Sequence, residues 1–442
     1  MHLKTILTAF VIICVAFALR LSYITQTDVY APIRFDAKKY YNYASNLLHH
    51  GTFSNEESNN PTPDSYWAPG YPTLLASILY LFGDQNFYKA ALMTQALLGA
   101  LTAGMVFAIG LYFLPLWAAV AAGLLTAGSP HLISLGGYLL TETLFAFTLT
   151  LFLLIYAIAI KTKNSAFFIS AGAMAGLSYL VNPVIFFAPL LFAIFFFLSR
   201  HFVDLFSADK KKKAIQLFLV AFMVPWVLWS ARCIINVPAT SPSSSNRALT
   251  NFIIGTHHDF FKIWRADRRD PNNPAEIDKQ KADGSWLNFI NIFAPRILDR
   301  PGHYARWYLY EKPRLLWSWD MLTGVGDVYV YPVTTSWFQT SGSAAAIHST
   351  MKSIHWWLFG LSLLGALYLK KFRQNSKSEI VKTLYVCIIY VSAVYVVLQS
   401  EPRYSIPLRP LMYLCAMFGL WQLGLAARNL INIAMKHLFV EE

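Results

Sequence analysis

Charge is scarce in this sequence. Of 442 residues, 13% are Asp, Glu, Lys or Arg, where soluble domains carry about 25%. So little charge cannot coat a surface that faces water all round, which excludes an ordinary soluble globule. Cysteine is scarce too. Cys14, Cys233, Cys387 and Cys415 all lie in apolar stretches, and their spacing suits neither a disulfide framework nor a structural zinc. The phosphate-cradling G-x-x-x-x-G-K-[ST], the dinucleotide G-x-G-x-x-G, the zinc motif H-E-x-x-H and the nucleophile elbow G-x-S-x-G are absent. A soluble nucleotide handled on a cytoplasmic face is therefore not expected. N-x-[ST] sequons are also absent, which tilts the source toward bacteria. The net charge of +13 would suit nucleic acid in a soluble protein. Here the basic residues sit in short loops beside apolar runs, and no nucleic-acid partner is expected.

Apolar residues fill the space that charge leaves. They make up 56% of the chain, and the mean hydropathy is +0.43. A helix needs about 20 apolar residues to cross the hydrocarbon core. Spans are expected near 5–24, 87–113, 116–133, 141–160, 166–181, 183–198, 214–236, 353–369, 383–399 and 405–426. The first follows Lys4 without a small-residue cleavage site, so it reads as a helix that stays. Asn182-Pro183 divides the stretch from Ala166 to Leu198, because proline disfavours an unbroken helix. Two crossings there put Lys4, Lys161, Lys163, Lys210 to Lys213, Lys370, Lys371, Arg373, Lys377, Arg428 and Lys436 on one face, the cytoplasmic one.

The expected fold class is therefore an all-α polytopic membrane protein of about ten transmembrane helices, with interfacial helices and a large extracytoplasmic loop. Residues 1–237 form an N-terminal transmembrane core that includes a first outer loop, 25–86. Residues 238–352 form an outer cap, and residues 353–442 the C-terminal transmembrane helices. The cap mixes both signs of charge with many Trp and Tyr, which suits a folded unit at headgroup level. Membrane lipids are the expected surroundings, and a monomer the expected state.

Candidate functional residues gather in the outer segments. Asp36 precedes an amphipathic helix whose apolar face carries Tyr40, Tyr43, Ala44, Leu47 and Leu48. As a bland alternative, Asp36 is the cap of that helix. Trp67 opens W-A-P-G-Y-P, a rigid turn ahead of the short run from Thr73 to Phe82. Glu142 stands at the outer end of an apolar helix, and acidic residues at membrane depth are functional candidates by default. Glu401, Arg403, Tyr404 and Arg409 lie at the outer ends of the last two helices. Arginine suits bidentate phosphate binding, while Arg409 could instead snorkel to the interface and Glu401 could pair with Arg403. In the large loop, Arg306, Lys312 and Arg314 form a basic strip. His257, His258 and Asp259 could hold a metal, but neighbouring histidines do not point alike. No cofactor is certain. A divalent cation, Mg or Mn, is compatible with the acidic residues.

Taken in order, the pieces resemble a known family. Asp36 is followed by Y-Y-x-x-A-x-x-L and a glycine, then W-A-P-G-Y-P and L-F-G-D. Next come Ser129-Pro130 ahead of Y-x-x-T-E, A-G-L-x-x-L ahead of Asn182-Pro183, and R-Y-x-x-P from Arg403. This set resembles the GT-C superfamily of integral membrane glycosyltransferases, in the branch of protein O-mannosyltransferases and aminoarabinose transferases (glycosyltransferase family 39-like). The resemblance is best over 30–190 and 395–420. It implies a polyprenyl- or dolichyl-phosphate sugar (undecaprenyl phosphate in bacteria) as donor, used on the outer face. Asp36 matches the first-loop acid and Glu142 the second-loop acid, where many relatives have Asp. Arg403 and Tyr404 match the region near the lipid phosphate. Relatives often have R-P where this chain has Asn182-Pro183, and the extra C-terminal soluble domain of some relatives is missing.

The expected activity is inverting transfer of a hexose or pentose from a polyprenyl-phosphate donor to a hydroxyl of a lipid, cell-surface glycan or protein, such as lipopolysaccharide. The expected setting is the periplasmic face of a bacterial inner membrane. Asp36 would accept the acceptor's proton, with Glu142 as the second catalytic acid. Arg403 and Tyr404, with Lys38 and Arg314, would stabilise the departing phosphate. Tyr40, Trp67 and Tyr138 would position substrate. The rival reading is a transporter or flippase of lipid-linked sugars. Against it, no internal symmetry is evident and the acids cluster at one face.

Overall fold

The computed structural model describes residues 3–198, 208–267, 270–369 and 376–439. Lys370, Lys371 and Arg373, three of the basic residues assigned to the cytoplasmic face, fall outside them. The chain is helical nearly throughout. The bundle contains α1 (Leu3–Gln26), α3 (Gly70–Gly110), α4 (Leu116–Ala127), α6 (Glu142–Thr162), α7 (Ser165–Val181), α8 (Ala188–Leu198) and α9 (Ala208–Asn236) from the first half. The second half contributes α17 (Gly342–Tyr368), α18 (Ser376–Val397) and α20 (Arg409–Phe439). Between them lie the surface helix α2 (Phe35–His50) and the short α5 (Pro130–Leu135). The large loop holds α10 (Ser244–Thr256), α11 (Phe260–Ala266), α12 (Pro274–Ala282), α13 (Trp286–Asp299), α14 (Pro301–Arg306), α15 (Lys312–Leu316) and α16 (Trp337–Thr340). The single turn α19 (Pro402–Ser405) leads into α20.

The fold is the expected all-α membrane bundle, but the span count needs correction. Among the described residues, six helices are long and apolar enough to cross a membrane on their own: α1, α3, α6, α9, α18 and the run Pro402–Ile433. α4, α7 and the run Pro183–Leu198 are apolar but shorter. The span expected over 116–133 breaks at Gly128 and Ser129, because Pro130 starts a new helix. That leaves α4 about 18 Å long against a core of about 30 Å. Its last carbonyls are taken by the buried Arg20, which donates to Ala127 O (3.1 Å) and Thr126 O (3.3 Å). α17 begins at Gly342, ahead of the expected 353, and carries His348, Lys352 and His355 in its first half. The run from Thr73 to Phe82 joins the next span in α3 through a bend at Gly83, whose φ of 68° an L side chain rarely adopts. Tyr80, Leu81 and Phe82 stay exposed just before it.

The chain does turn at Asn182-Pro183. Asn182 ends α7, and its side chain accepts from Val184 N (3.1 Å) to start a single 3-10 turn. α8 then runs back, since Lys211 at the start of α9 donates to Phe197 O near its end (2.9 Å). α7 and α9 pack closely because Gly172 and Gly176 face Phe218 O and Phe222 O, with no room for a Cβ.

The outer segments form a cap over one end of the bundle. A two-stranded ladder, Asp28–Val29 against Val333–Thr335, ties the first segment to the large loop. Arg232 at the end of α9 donates to Asp64 O (2.7 Å) and Phe53 O (3.1 Å). The large loop has its own small core of Leu249, Ile253, Ala282, Phe289 and Phe293. Beside it, Asp278 accepts from His257 (2.8 Å) and from both ends of the Arg296 fork. Burial alone would raise the Asp278 carboxyl, but His257 and Arg296 hold it well below the usual carboxylate range.

Candidate functional site

Three segments far apart in sequence meet under the cap. Asp36 lies in the first turn of α2, one residue inside its start, so it is not the cap; Arg34 occupies that position and makes no side-chain cap bond. The start of α2 is instead fixed by Tyr331 from the large loop. Its hydroxyl accepts from Ala37 N (3.3 Å) and donates to Arg34 O (3.2 Å). Glu142 is the first residue of α6, where the helix dipole favours an anion, and it is buried. Arg403 sits on α19, just before the bundle helix α20.

Arg403 bridges the two acids. Its Nη2 donates to Asp36 Oδ2 (3.1 Å), and its Nε lies 2.6 Å from Glu142 Oε1. The acids differ in exposure: the side chain of Asp36 is 29% exposed and that of Glu142 is 6%. Glu401 does not pair with Arg403 through a hydrogen bond. It accepts from Thr323 N (3.1 Å) and from the Thr323 hydroxyl, which clamps the turn before Arg403 to the large loop. Burial pushes the Glu401 carboxyl up. Lys312 adds a second clamp from α15. Its Nζ donates to Gly255 O (3.0 Å) and Leu398 O (2.8 Å), and burial lowers its ammonium to about 7.

The bridge forms part of the wall of a cavity of about 320 Å³. Its lining includes Tyr40, Trp67, Glu142, Asn182, Arg403 and Tyr404 together with the apolar or aromatic Phe186, Phe187, Trp229, Tyr390, Val394 and Leu398. Tyr40 meets Trp67 edge-on at 4.6 Å and Tyr71 at 5.0 Å. Burial raises the Tyr40 phenol, so it stays protonated at neutral pH. Tyr404 stacks on Tyr395 (4.8 Å), whose hydroxyl accepts from Asn182 (3.0 Å). The asparagine that stands where relatives often have arginine is thus a cavity residue.

The other sequence candidates fall elsewhere. Tyr138 is buried edge-on to Tyr331 at 5.4 Å and does not line the cavity. Lys38 is exposed and paired with Glu57 (2.7 Å), and Arg314 is exposed; neither lines the cavity. Arg409 does not snorkel. It is fully buried against His131 (2.5 Å) and Ser318 O (3.1 Å). His257 is engaged with Asp278, and His258 with Glu311 (3.0 Å). Among the described residues, no three His, Cys, Asp or Glu side chains group to hold a metal ion. Arg403 lies between Asp36 and Glu142, in contact with both. Arg247, passed over in the sequence, does line the cavity.

Residues 66–229 match the sequence family described as dolichyl-phosphate-mannose-protein mannosyltransferase. No curated protein sequence matches the chain. Among solved structures, the archaeal oligosaccharyltransferase AglB from Archaeoglobus fulgidus, in complex with an inhibitory peptide and a dolichol-phosphate, aligns with a TM-score of 0.55. The identity is 14%, over 98% of this chain and 52% of that one. The same enzyme, tethered with an acceptor peptide containing the NVT sequon, aligns with a TM-score of 0.52 at 16% identity, over 94% and 49%. ArnT from Cupriavidus metallidurans bound to undecaprenyl phosphate aligns at 0.39 and 14% identity, over 94% and 77%. The chain spans about half the length of the AglB structures it matches. The fold is the GT-C fold expected from the ordered motifs.

Proposed function

We propose that this chain, which has the GT-C fold of integral membrane glycosyltransferases, transfers a sugar from a polyprenyl-phosphate donor to an acceptor hydroxyl. One observation carries the reading: a single arginine bridges two acids from distant segments beside a cavity lined by both polar and apolar side chains. The match to a dolichyl-phosphate-mannose-protein mannosyltransferase family and the dolichol-phosphate bound by AglB support the donor class. The setting is the periplasmic face of a bacterial inner membrane, and the acting unit is a monomer. The acceptor is a lipid, a cell-surface glycan or a protein.

The donor's sugar lies against the polar lining residues and its prenyl chain against the apolar ones. Asp36, the more exposed acid, faces the acceptor, while Glu142 lines the donor cavity. Asp36 takes the hydroxyl proton as the acceptor oxygen attacks the anomeric carbon. The bond from that carbon to the phosphate oxygen breaks, the electron pair leaves with the polyprenyl phosphate, and the configuration inverts. Arg403 fixes Asp36 in direction, which a general base requires. Tyr40 and Trp67 shape the sugar end, and Tyr404 supports it through Tyr395. Arg403 contacts both acids, and turnover is expected to persist in EDTA; a loss that added Mg or Mn restores would assign the site a divalent cation.

The test is to incubate purified protein with a panel of polyprenyl-phosphate sugars and follow transfer or hydrolysis. Asp36→Asn is expected to lower turnover by about 10² to 10⁴-fold, the usual share of a general base, with folding intact. Full activity in that variant sinks the assignment, and no turnover with any donor returns the weight to transport.

A further inference from the structure

The cavity contains a second arginine, and the two acids do not use it. Arg247 stands on α10, which a capping box starts: Ser243 Oγ accepts from Asn246 N (3.3 Å), and Asn246 Oδ1 accepts from Ser243 N (3.0 Å). One face of α10 buries Leu249 and Ile253 in the loop's own core. The opposite face presents Ser244, Arg247, Ala248 and Asn251 to the cavity, at the i, i+3, i+4, i+7 spacing of one helical stripe. Gly255 fixes the height of α10, since it lies against Leu398 O with no room for a Cβ. The backbone bond from Ser65 N to Pro242 O (3.1 Å) fixes its start.

Arg247 lies over Trp67, its guanidinium carbon 3.9 Å from the ring centroid. Stacking uses the face of a guanidinium and leaves its N–H groups free around the edge. Among the described residues no carboxylate or other acceptor takes those N–H groups. Arg247 and Arg403 are the cavity's lysine or arginine residues. Arg403 is already paired with two acids, Asp36 and Glu142. The free positive charge in the cavity is therefore at Arg247. A free guanidinium fork beside neutral donors and apolar lining residues fits an amphiphile with a phosphate head.

We propose that Arg247, held on Trp67 with Ser244 and Asn251 on the same stripe, binds the phosphate of the lipid-linked donor. This inference rests on the donor class assigned above and moves the phosphate away from Arg403. The large loop then contributes directly to the donor site as well as covering it.

The test measures binding of undecaprenyl phosphate, undecaprenol and inorganic phosphate to the full chain in nanodiscs, for wild type, Arg247→Ala and Arg247→Lys. Arg247→Ala is expected to weaken undecaprenyl phosphate about 30-fold, the scale of a charge-assisted pair. It is expected to leave undecaprenol unchanged, which also shows that the variant is folded. Arg247→Lys is expected to recover part of the loss, and inorganic phosphate to compete weakly in wild type alone. Equal losses for the phosphate and the alcohol would make Arg247 a wall residue and overturn the proposal. So would unchanged phosphate binding, or no binding to wild type. If the expected binding differences appear and no sugar panel gives transfer, the phosphate site stands and the transferase reading falls. If transfer occurs and Arg247→Ala leaves the donor KM unchanged, the reverse holds.

Discussion

Arg403 is the residue on which the site depends. A buried guanidinium between two carboxylates is costly to remove, because its loss leaves the buried Glu142 without its partner. Arg403→Met is expected to lower stability by about 3–5 kcal/mol, read as the midpoint of unfolding in SDS mixed micelles. Adding Glu142→Gln to that variant should return part of the loss, since the buried position then carries no unpaired charge. Independent, additive effects in this double-mutant cycle would show that the 2.6 Å contact carries no coupling. Arg403→Lys keeps the charge but loses the planar fork that reaches both acids. It should therefore hold the fold better than Met while turnover falls steeply. At this scale the sequence named Asp36, Glu142, Arg403, Tyr404, Tyr40 and Trp67, and these six do converge. Asp36 and Glu142 were legible because an acid beside a lipid phase needs a reason to be there. Lys38 and Arg314 were named on charge alone, and charge alone does not say which way a side chain points.

Between elements, two kinds of packing hold the site in place. In the bundle, α7, which contributes Tyr179 and Leu180 to the cavity lining, packs close against α9. Gly172→Leu would drive a side chain into Phe218 O, so about 1–3 kcal/mol of destabilisation is expected from overpacking. The same micelle unfolding measures it, with exposed Ser170→Leu on the same helix as the neutral control. In the cap, α12 and α13 are joined by the Asp278 carboxylate to His257 and Arg296. The folded pKa of Asp278 is depressed, so its contribution is fully present above the unfolded value of about 4 and is lost as pH falls below it. Asp278→Asn should remove that acid-side dependence. Proteolysis of the large loop followed from pH 6 down to pH 3 reads it: wild type opens progressively, and the variant is already more open at pH 6 with a flatter profile. These contacts were not legible in advance. The Ser241 to Ser245 run matches no motif, yet it contains the cap of the helix that carries Arg247.

The whole molecule is polar at one end in a particular way. Helices α1, α9 and α18 end under the cap and α6 and α20 begin there, while Lys4, Lys161, Lys163, Lys377 and Arg428 sit toward their other ends. The bundle is thus a scaffold with its cavity at one end. In a cysteine-free background, Lys161→Cys and Lys281→Cys are expected to react with an impermeant thiol reagent from opposite sides of sealed vesicles. Labelling of both from one side would contradict the topology, and labelling of position 36 alternating between sides would favour transport. The charge bias already indicated this orientation, because it depends on where lysines lie along the chain and not on how helices pack.

The sequence by itself determined that the chain lives in a membrane, most of its helical stretches, that it turns at Asn182-Pro183, and an ordered set of motifs that resembles that of GT-C enzymes. Each of these follows from local composition or spacing, which needs no knowledge of contacts. Tertiary structure alone decided that Asp36 and Glu142 share Arg403, since those residues come from segments whose distance in sequence carries no information about their approach. It alone showed that α4 and α8 are too short to cross by themselves and that Arg409 is buried. It alone put Arg247 in the cavity. That arginine reads as one more basic loop residue until the ladder, the Glu401 and Lys312 clamps and the Trp67 ring bring its helix over the site.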